Sequence, residues 1–410
     1  MFTGALAQWR AGRRRGRLLA AAAVPRAREA DLCRKVAVSC ERRSDYDDSL
    51  NWVNEALRFL PSRPGLVGAR VYATKSLALF RKGLYEHAVL WGRRGLGIAA
   101  RSRDMRLLAY AHHILAGSYM ELGKLRQALD HDRLSARLYH ELGDLPGQAR
   151  ANSNLGLSYQ MLGVLDAAAY HYEIALKADE RIGNMSHASI VRNNIGEVLL
   201  LQGRLDEAEA HLNEVTGAHR RGIARTALAG LAEVNLARSR LRADDLAGAG
   251  RHVRRGLRLL RSVGAEGLIA DAQLQQIELQ LAAGRARPAR RESSRMLEEL
   301  RQIASKVLES RAERLLGRAE AALGKTEAGI RHLRESIVIA RRSGAGYEEA
   351  LSLIELGRAL KAFGRTSGRA TRALRRAAAI LSAMGAAPDL REAETLLAGA
   401  PCYGGAPVEP

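Results

Sequence analysis

The side chains in this sequence that could carry chemistry are scattered, and their spacing narrows what that chemistry is. The run Gly156-Leu157-Ser158-Tyr159-Gln160 begins like the elbow that exposes a serine nucleophile. It lacks the closing glycine and falls inside a helix-forming segment rather than at a strand-to-helix turn. Gly324-Lys325-Thr326 ends like a phosphate loop. The first glycine that such a loop needs is replaced by Ala319, and no strand precedes it. Histidines recur at 131, 171, 211 and 332, with His252 in register once an insertion is allowed. Zinc needs ring nitrogens about 2 Å from one ion, whereas equivalent positions on packed helices lie about 8–10 Å apart. Stacked contacts between neighbouring repeats are expected there instead of a metal. Cys33, Cys40 and Cys402 are too few and too oddly placed for a disulfide framework or a zinc site. The sequence therefore predicts no catalytic residues, no metal and no cofactor. What remains is noncovalent: amides at Asn154, Asn193 and Asn194, and guanidinium groups at Arg150, Arg311, Arg314, Arg318 and Arg358.

A periodic scaffold must position these groups. Gly83, Gly123, Gly163 and Gly203 are forty residues apart, and Gly284, Gly324 and Gly364 resume the series after one missing member at Ala243 or Asp244. A second set keeps the same period: Gly143, Gly183, Gly222, Gly264, Gly344 and Gly385. Self-similarity at such a period marks a repeat array whose units bury their apolar faces on each other. The clearest unit is 145–184. Pro146 stands at a helix start, apolar or small residues follow at Ala151, Leu155, Tyr159 and Leu162, and Gly163 ends the helix. A second helix is predicted from about Asp166 to Arg181, with Ala168, Tyr172, Ala175 and Leu176 on one face. Ala88, Ala128, Ala168, Ala208 and Ala289 each follow a turn glycine by five residues, where a small side chain lets two helices approach closely. The predicted fold is all-α, a right-handed α-solenoid of antiparallel helix pairs. About nine pairs over residues 29–384 and a capping helix near 388–398 make up an array spanning 29–398. A basic tail or linker is expected over 1–28 and a disordered tail over 399–410.

The run Leu155-Gly156, Tyr159, Gly163, Ala168, Tyr172, Ala175 resembles the tetratricopeptide repeat signature, and Ile195-Gly196, Gly203, Ala208, Leu316-Gly317 and Leu356-Gly357 continue it. The usual unit has 34 residues. Here the helices are longer, and LGD or IGN replaces the usual closing proline. That variant is similar to kinesin light chains, to Leu-Gly-Asn adaptors and to the C-terminal arrays of bacterial signalling ATPases and cyclases. The resemblance implies protein binding along a concave groove lined by first helices. In such repeats the residue two before the Leu-Gly glycine often faces the groove, which points to Asn154 and Asn194, joined by Asn193. Arg150 lies on the same face as Asn154. The carboxylate clamp of some tetratricopeptide proteins is not matched, because His113, Gly117, Ile190 and Asn194 occupy its places. Arg311, Arg314, Arg318 and Arg358 offer an anion-binding strip for an acidic peptide. The competing reading is a solvated arginine face with Glu309, Glu313 and Glu320 as partners along the same helix.

Composition bounds the partner only loosely. The formal charge is +21, from 65 Lys and Arg against 44 Asp and Glu. Residues 105–214, the best-formed repeats, are net −4, whereas 215–410 carry +13. Only eight of the basic residues are Lys. Arginine on solvated helix faces accounts for such a balance without nucleic acid. Arg10 to Arg17 followed by Leu18 to Val24 is too short an apolar stretch for a secretory signal. The reading from sequence is a cytoplasmic scaffold that binds a protein or peptide. A sensor module separated from a signalling enzyme or transcription regulator is the alternative, and a basic nucleic-acid-binding solenoid the weaker one.

Overall fold

The structure is a computed structural model, and it describes residues 26–303, 305–362 and 367–399. The tails expected over 1–28 and 399–410 lie outside those residues, apart from 26–28, which open the first helix, and Gly399. Gly364 and Cys402 also lie outside them. All regular structure among the described residues is helical. The chain divides into two compact units, Met1–Ser158 and Tyr159–Pro410.

The first unit holds α1 (Arg26–Arg42), α2 (Tyr46–Arg58), α3 (Leu66–Arg81), α4 (Tyr85–Ser102), α5 (Met105–Glu121), α6 (Leu125–Glu141) and most of α7 (Leu145–Met161). The second holds α8 (Leu165–Arg181), α9 (Met185–Gln202), α10 (Leu205–Arg220), α11 (Thr226–Arg242), α12 (Leu246–Ser262), α13 (Glu266–Ala282), α14 (Ala286–Ile303), α15 (Lys306–Ala322), α16 (Thr326–Arg342), α17 (Gly346–Ala362), α18 (Ser367–Met384) and α19 (Ala387–Ala398). The fold is a right-handed α-solenoid of antiparallel helix pairs. Odd-numbered helices are the first members of the pairs; apart from α7, each first helix followed by a second packs against it, and within each unit successive first helices also touch, as α1 does α3 and α9 does α11.

The turns explain the period. After a first helix the chain enters the left-handed region at glycine, as at Gly163 with φ +76°. There the Gly163 amide donates to the Gln160 carbonyl and the Val164 amide to that of Tyr159, which satisfies carbonyls the helix leaves open. The missing member of the series is Asp244, which takes the same conformation at φ 59°. Asp is among the few residues other than glycine that tolerate it. The residues that replace the usual closing proline have their own task. Asp144 Oδ1 accepts the Gly147 amide at the start of α7, and Asn184 Oδ1 accepts that of His187 at the start of α9. These are N-caps, made by the residue types that favour that position.

Within pairs the crossings are tight. Ala88, Ala128, Ala168, Ala208 and Ala289 are completely buried. In the first unit Tyr119 and Tyr139 are the largest buried side chains; in the second, Tyr172 is, and its hydroxyl donates to Gln160 Oε1. The second unit also makes contacts of long range. Arg242 at the end of α11 donates to the Tyr347 hydroxyl and to Asp389, and α19 lies against α9.

The turn geometry yields a graded prediction. A Cβ on Gly324 would meet open space, whereas one on Gly163 would fall 2.7 Å from Met384 Cγ. Gly324→Ala should destabilise by about 1 kcal/mol through its positive φ alone. Gly163→Ala should destabilise by more. Denaturant unfolding of the two variants checks the order, and equal losses would contradict it.

Candidate functional site

In the second unit a continuous polar ladder runs along the first helices. It begins on α9, where Asn193 and Glu197 both accept from Asn235 of α11. Arg238, three residues on, donates to the Asn235 amide oxygen, to Gln275 and to both oxygens of Asp271 on α13. Arg311 of α15 reaches back to Asp271 at 2.6 Å, Gln275 at 2.7 Å and Glu278 at 2.9 Å. Arg314 bridges Glu278 at 3.3 Å and Glu348 of α17 at 3.2 Å. Arg318 approaches Glu355 at 3.7 Å, and Arg358 pairs with Glu355 at 2.7 Å and with Glu392 of α19. Burial pushes the Asp271 and Glu278 carboxyls up. The guanidinium groups of Arg238 and Arg311 beside Asp271, and of Arg311 and Arg314 beside Glu278, outweigh it and hold both below the usual carboxylate range.

This arrangement corrects the expectation for the arginines. Arg311 and Arg314 have side chains only 8% and 3% exposed. They are neither an open anion strip nor a solvated face. Their partners are carboxylates on neighbouring first helices, not the Glu309, Glu313 and Glu320 side chains of their own helix. Glu313 instead pairs with His332, and Glu320 with Arg290. Asp271, Gln275, Glu278, Glu348, Glu355 and Glu392 were not foreseen. Their signal was in the period: Asn235 and Gln275 stand 41 and 81 residues after Asn194.

The amides differ among themselves. Asn193 is 1% exposed and serves the ladder. Asn194 is half-buried and bonds the Tyr172 side chain. In the first unit Asn154 is half-buried, with its amide nitrogen 3.3 Å from His113 Nδ1. Arg150 is exposed. It lines a cavity of about 400 Å³ with Arg34, Arg70, Arg106, Tyr110 and Tyr139. Burial, and then the Glu41 charge, pushes the Tyr110 hydroxyl up to about 12. Burial also raises Tyr139, against the opposing effect of Arg150.

The histidines pack differently from the expectation. His131, His171, His252 and His332 each reach the first helix of their own pair. His131 stacks on Tyr119, and its Nδ1 lies 2.7 Å from that of His112. His171 stacks on Tyr159, His252 pairs with Glu233, and His332 with Glu313. Burial and the neighbouring His131 push His112 down to about 4. No group of three or more potential metal ligands occurs among the described residues. Ser158, from the elbow-like run, is buried in α7 and donates to Asp132 at 2.7 Å. Lys325 and Thr326 form the start of α16. No described helix is long and apolar enough to cross a membrane.

Residues 148–221 match the family model of the tetratricopeptide repeat. The fold is similar to that of a Rap protein crystallised in complex with competence and sporulation factor. The TM-score is 0.69 at 12% identity, over 87% of this chain and 99% of that one. It is also similar to the apo quorum sensor NprR from B. thuringiensis, with a TM-score of 0.64 at 12% identity over 86% and 97% of the two chains. A signal-transduction ATPase with a tetratricopeptide repeat sensor, from Pyrococcus horikoshii, gives 0.55 at 14% identity. That likeness covers 75% of this chain and 47% of the other. No curated protein matches the sequence.

Two predictions follow from the buried charges. Arg311→Ala removes one of the two guanidinium partners of Asp271 and one of those of Glu278, so it should destabilise by about 3 kcal/mol, the low end of what breaking a buried pair costs. Loss of hydrogen-exchange protection should concentrate in α13 and α15; a change near zero would return Arg311 to the surface. Asp132 behaves oppositely. Burial pushes its carboxyl up to about 7, against the Ser158 hydrogen bond, and its Oδ1 has no partner. A raised carboxyl pKa means stability that is full below the unfolded value of about 4 and is lost as pH rises toward 7. Asp132→Asn should therefore melt above the wild type at pH 8, with the gap closing toward pH 5. Thermal melts across that range test the sign.

Proposed function

We propose that this tetratricopeptide-type repeat chain is a non-catalytic interaction scaffold that holds a protein or peptide segment against its first helices. The observation that carries the reading is the register of Asn154 and Asn194. They stand at equivalent positions of consecutive first helices, one in each unit, and each is half-buried, Asn154 beside His113 and Asn194 beside Tyr172. An amide both donates and accepts, which suits the backbone of a bound segment. Arg150, exposed one turn before Asn154, adds a charged contact in the first unit. Within the second unit Asn193, Arg311 and Arg314 are buried in the ladder, while Arg318 and Arg358 are about one-third exposed. The similarly folded Rap protein was crystallised with a bound factor, which is consistent with such a role.

A second reading draws on the likeness to the signal-transduction ATPase with a tetratricopeptide repeat sensor. In it the array senses a ligand for a signalling enzyme. Translating the DNA upstream of Met1 in frame tests it, and an adjoining catalytic domain would favour it.

The scaffold reading is tested with a random peptide library displayed on phage. The wild-type protein should enrich a peptide family, and a synthetic member should bind it. Asn154→Ala combined with Asn194→Ala should weaken that peptide by roughly 2–3 kcal/mol if both bonds are direct, with unchanged helicity. Failure to enrich any family, or equal affinity of the double variant, would sink the assignment.

A further inference from the structure

We propose that the cavity in the first unit bounded by Arg34, Arg70, Arg106 and Arg150 docks an acidic peptide whose carboxylates recur about every third residue. The proposal rests on the scaffold reading and adds to it the chemistry of the partner and the place where it sits.

The first observation is how incompletely two of these arginines, Arg70 and Arg106, are used. Within the second unit, Arg311 and Arg314 are buried, and each bridges two carboxylates. Arg70 and Arg106 are 48% and 73% exposed, and their nearest carboxylate oxygens lie 3.5 Å and 3.7 Å away, on Asp104 and Asp144. Those separations exceed a direct hydrogen bond. Both carboxylates are already engaged, since Asp104 Oδ1 caps α5 at the Leu107 amide and Asp144 Oδ1 caps α7 at the Gly147 amide. They hold the guanidinium groups in place without saturating them. Arg34 is paired more closely, with Asp31 at 2.8 Å. Arg150 faces the Tyr139 hydroxyl. Four guanidinium groups thus line a cavity shared with only two carboxylates, both committed to helix ends.

Helix spacing then selects the occupant. The four arginines come one each from α1, α3, α5 and α7. Successive packed helices stand about 8–10 Å apart. A single phosphate or sulfate spans far less and would meet one or two of these groups. A peptide in the polyproline II conformation turns once every three residues and rises about 3.1 Å per residue, so side chains three residues apart share one face about 9 Å apart. Carboxylates at that interval match one arginine per repeat. Leu107, Tyr110 and Tyr139 supply wall for the intervening side chains.

The test uses the full chain and fluorescently labelled peptides in anisotropy titrations. One peptide carries Glu at every third position of an Ala, Ser and Gly background. Its isomer carries the same Glu residues adjacent, and a third has Lys in their place. The spaced peptide should bind at least about tenfold tighter than its isomer and weaken with added salt, and the Lys peptide should not bind. Arg70→Gln with Arg106→Gln should weaken the spaced peptide about tenfold or more, the loss expected of charge-assisted hydrogen bonds. Arg106→Gln alone, at the more exposed position, should move affinity in the same direction. Arg255→Gln with Arg258→Gln, an exposed pair in the second unit, should leave it unchanged. Equal binding of the two isomers, displacement by millimolar inorganic phosphate, or indifference to Arg70 and Arg106 would overturn the proposal. If the phage library enriches peptides without acidic residues, the scaffold reading stands and this inference fails. If it enriches none, the scaffold reading itself is what fails.

Discussion

The structure depends on how closely the two helices of a pair can cross. At Gly317 of α15 a Cβ would fall 2.7 Å from Leu333 Cγ and 2.9 Å from the Gly329 carbonyl of α16, so only a residue without one fits. The buried alanines five residues after the turn glycines do the same from the second helix. Close crossing seats a leucine of one helix in the backbone of the other, and packed interiors tolerate little slack there. It also sets how far each first helix stands from the next. That distance is short enough for a long side chain to bridge. Ladder contacts between successive first helices accordingly join residues 33 to 42 apart in sequence, one repeat along the chain.

Much of this was legible in the sequence, because glycine reports backbone conformation directly. A forty-residue glycine period can only mean a turn repeated in one conformation, and Asp244 shows that the turn survives where the glycine does not. The caps at Asp144 and Asn184 were visible as LGD and IGN but had no stated purpose until the helices they cap were in place. The arginines were harder. On one helix Arg311 and Arg314 lie near Glu309 and Glu313, a pattern that reads as surface pairing along the same face. Burial is a property of the neighbouring repeat, and the sequence of α15 alone does not contain it. Placing Asp271, Glu278 and Glu348 opposite those arginines requires aligning three repeats at once. The histidines misled for a related reason: their forty-residue period belongs to the array, but His131, His252 and His332 make their contacts within a pair.

The ladder bears on function through its energetics. Arg311, Arg314, Asp271 and Glu278 gave up hydration on folding, and their mutual attraction offsets that loss only while every partner stays in place. A ligand anion that took Arg311 from Asp271 would leave that buried carboxylate with Arg238 as its guanidinium partner, so it would have to replace the lost interaction as well as make its own. Such a site resists exchange. The net charge of +21 is therefore a poor guide to what the protein attracts, since part of its arginine is neutralised internally.

The opposite holds where a guanidinium group stands just beyond hydrogen-bond distance of a carboxylate that already caps a helix. At Arg70 and Arg106 the side chain stays about half or more exposed, and the nearby Asp104 and Asp144 restrict its position without fully satisfying it. An incoming carboxylate there gains new hydrogen bonds and breaks none that the fold needs. Recognition in an arginine-rich repeat array is thus better sought at its loosely paired arginines than at its most concentrated charge. The same helix spacing that closes the ladder in the second unit spreads those loosely paired groups one repeat apart in the first, which favours a partner as extended as the array itself.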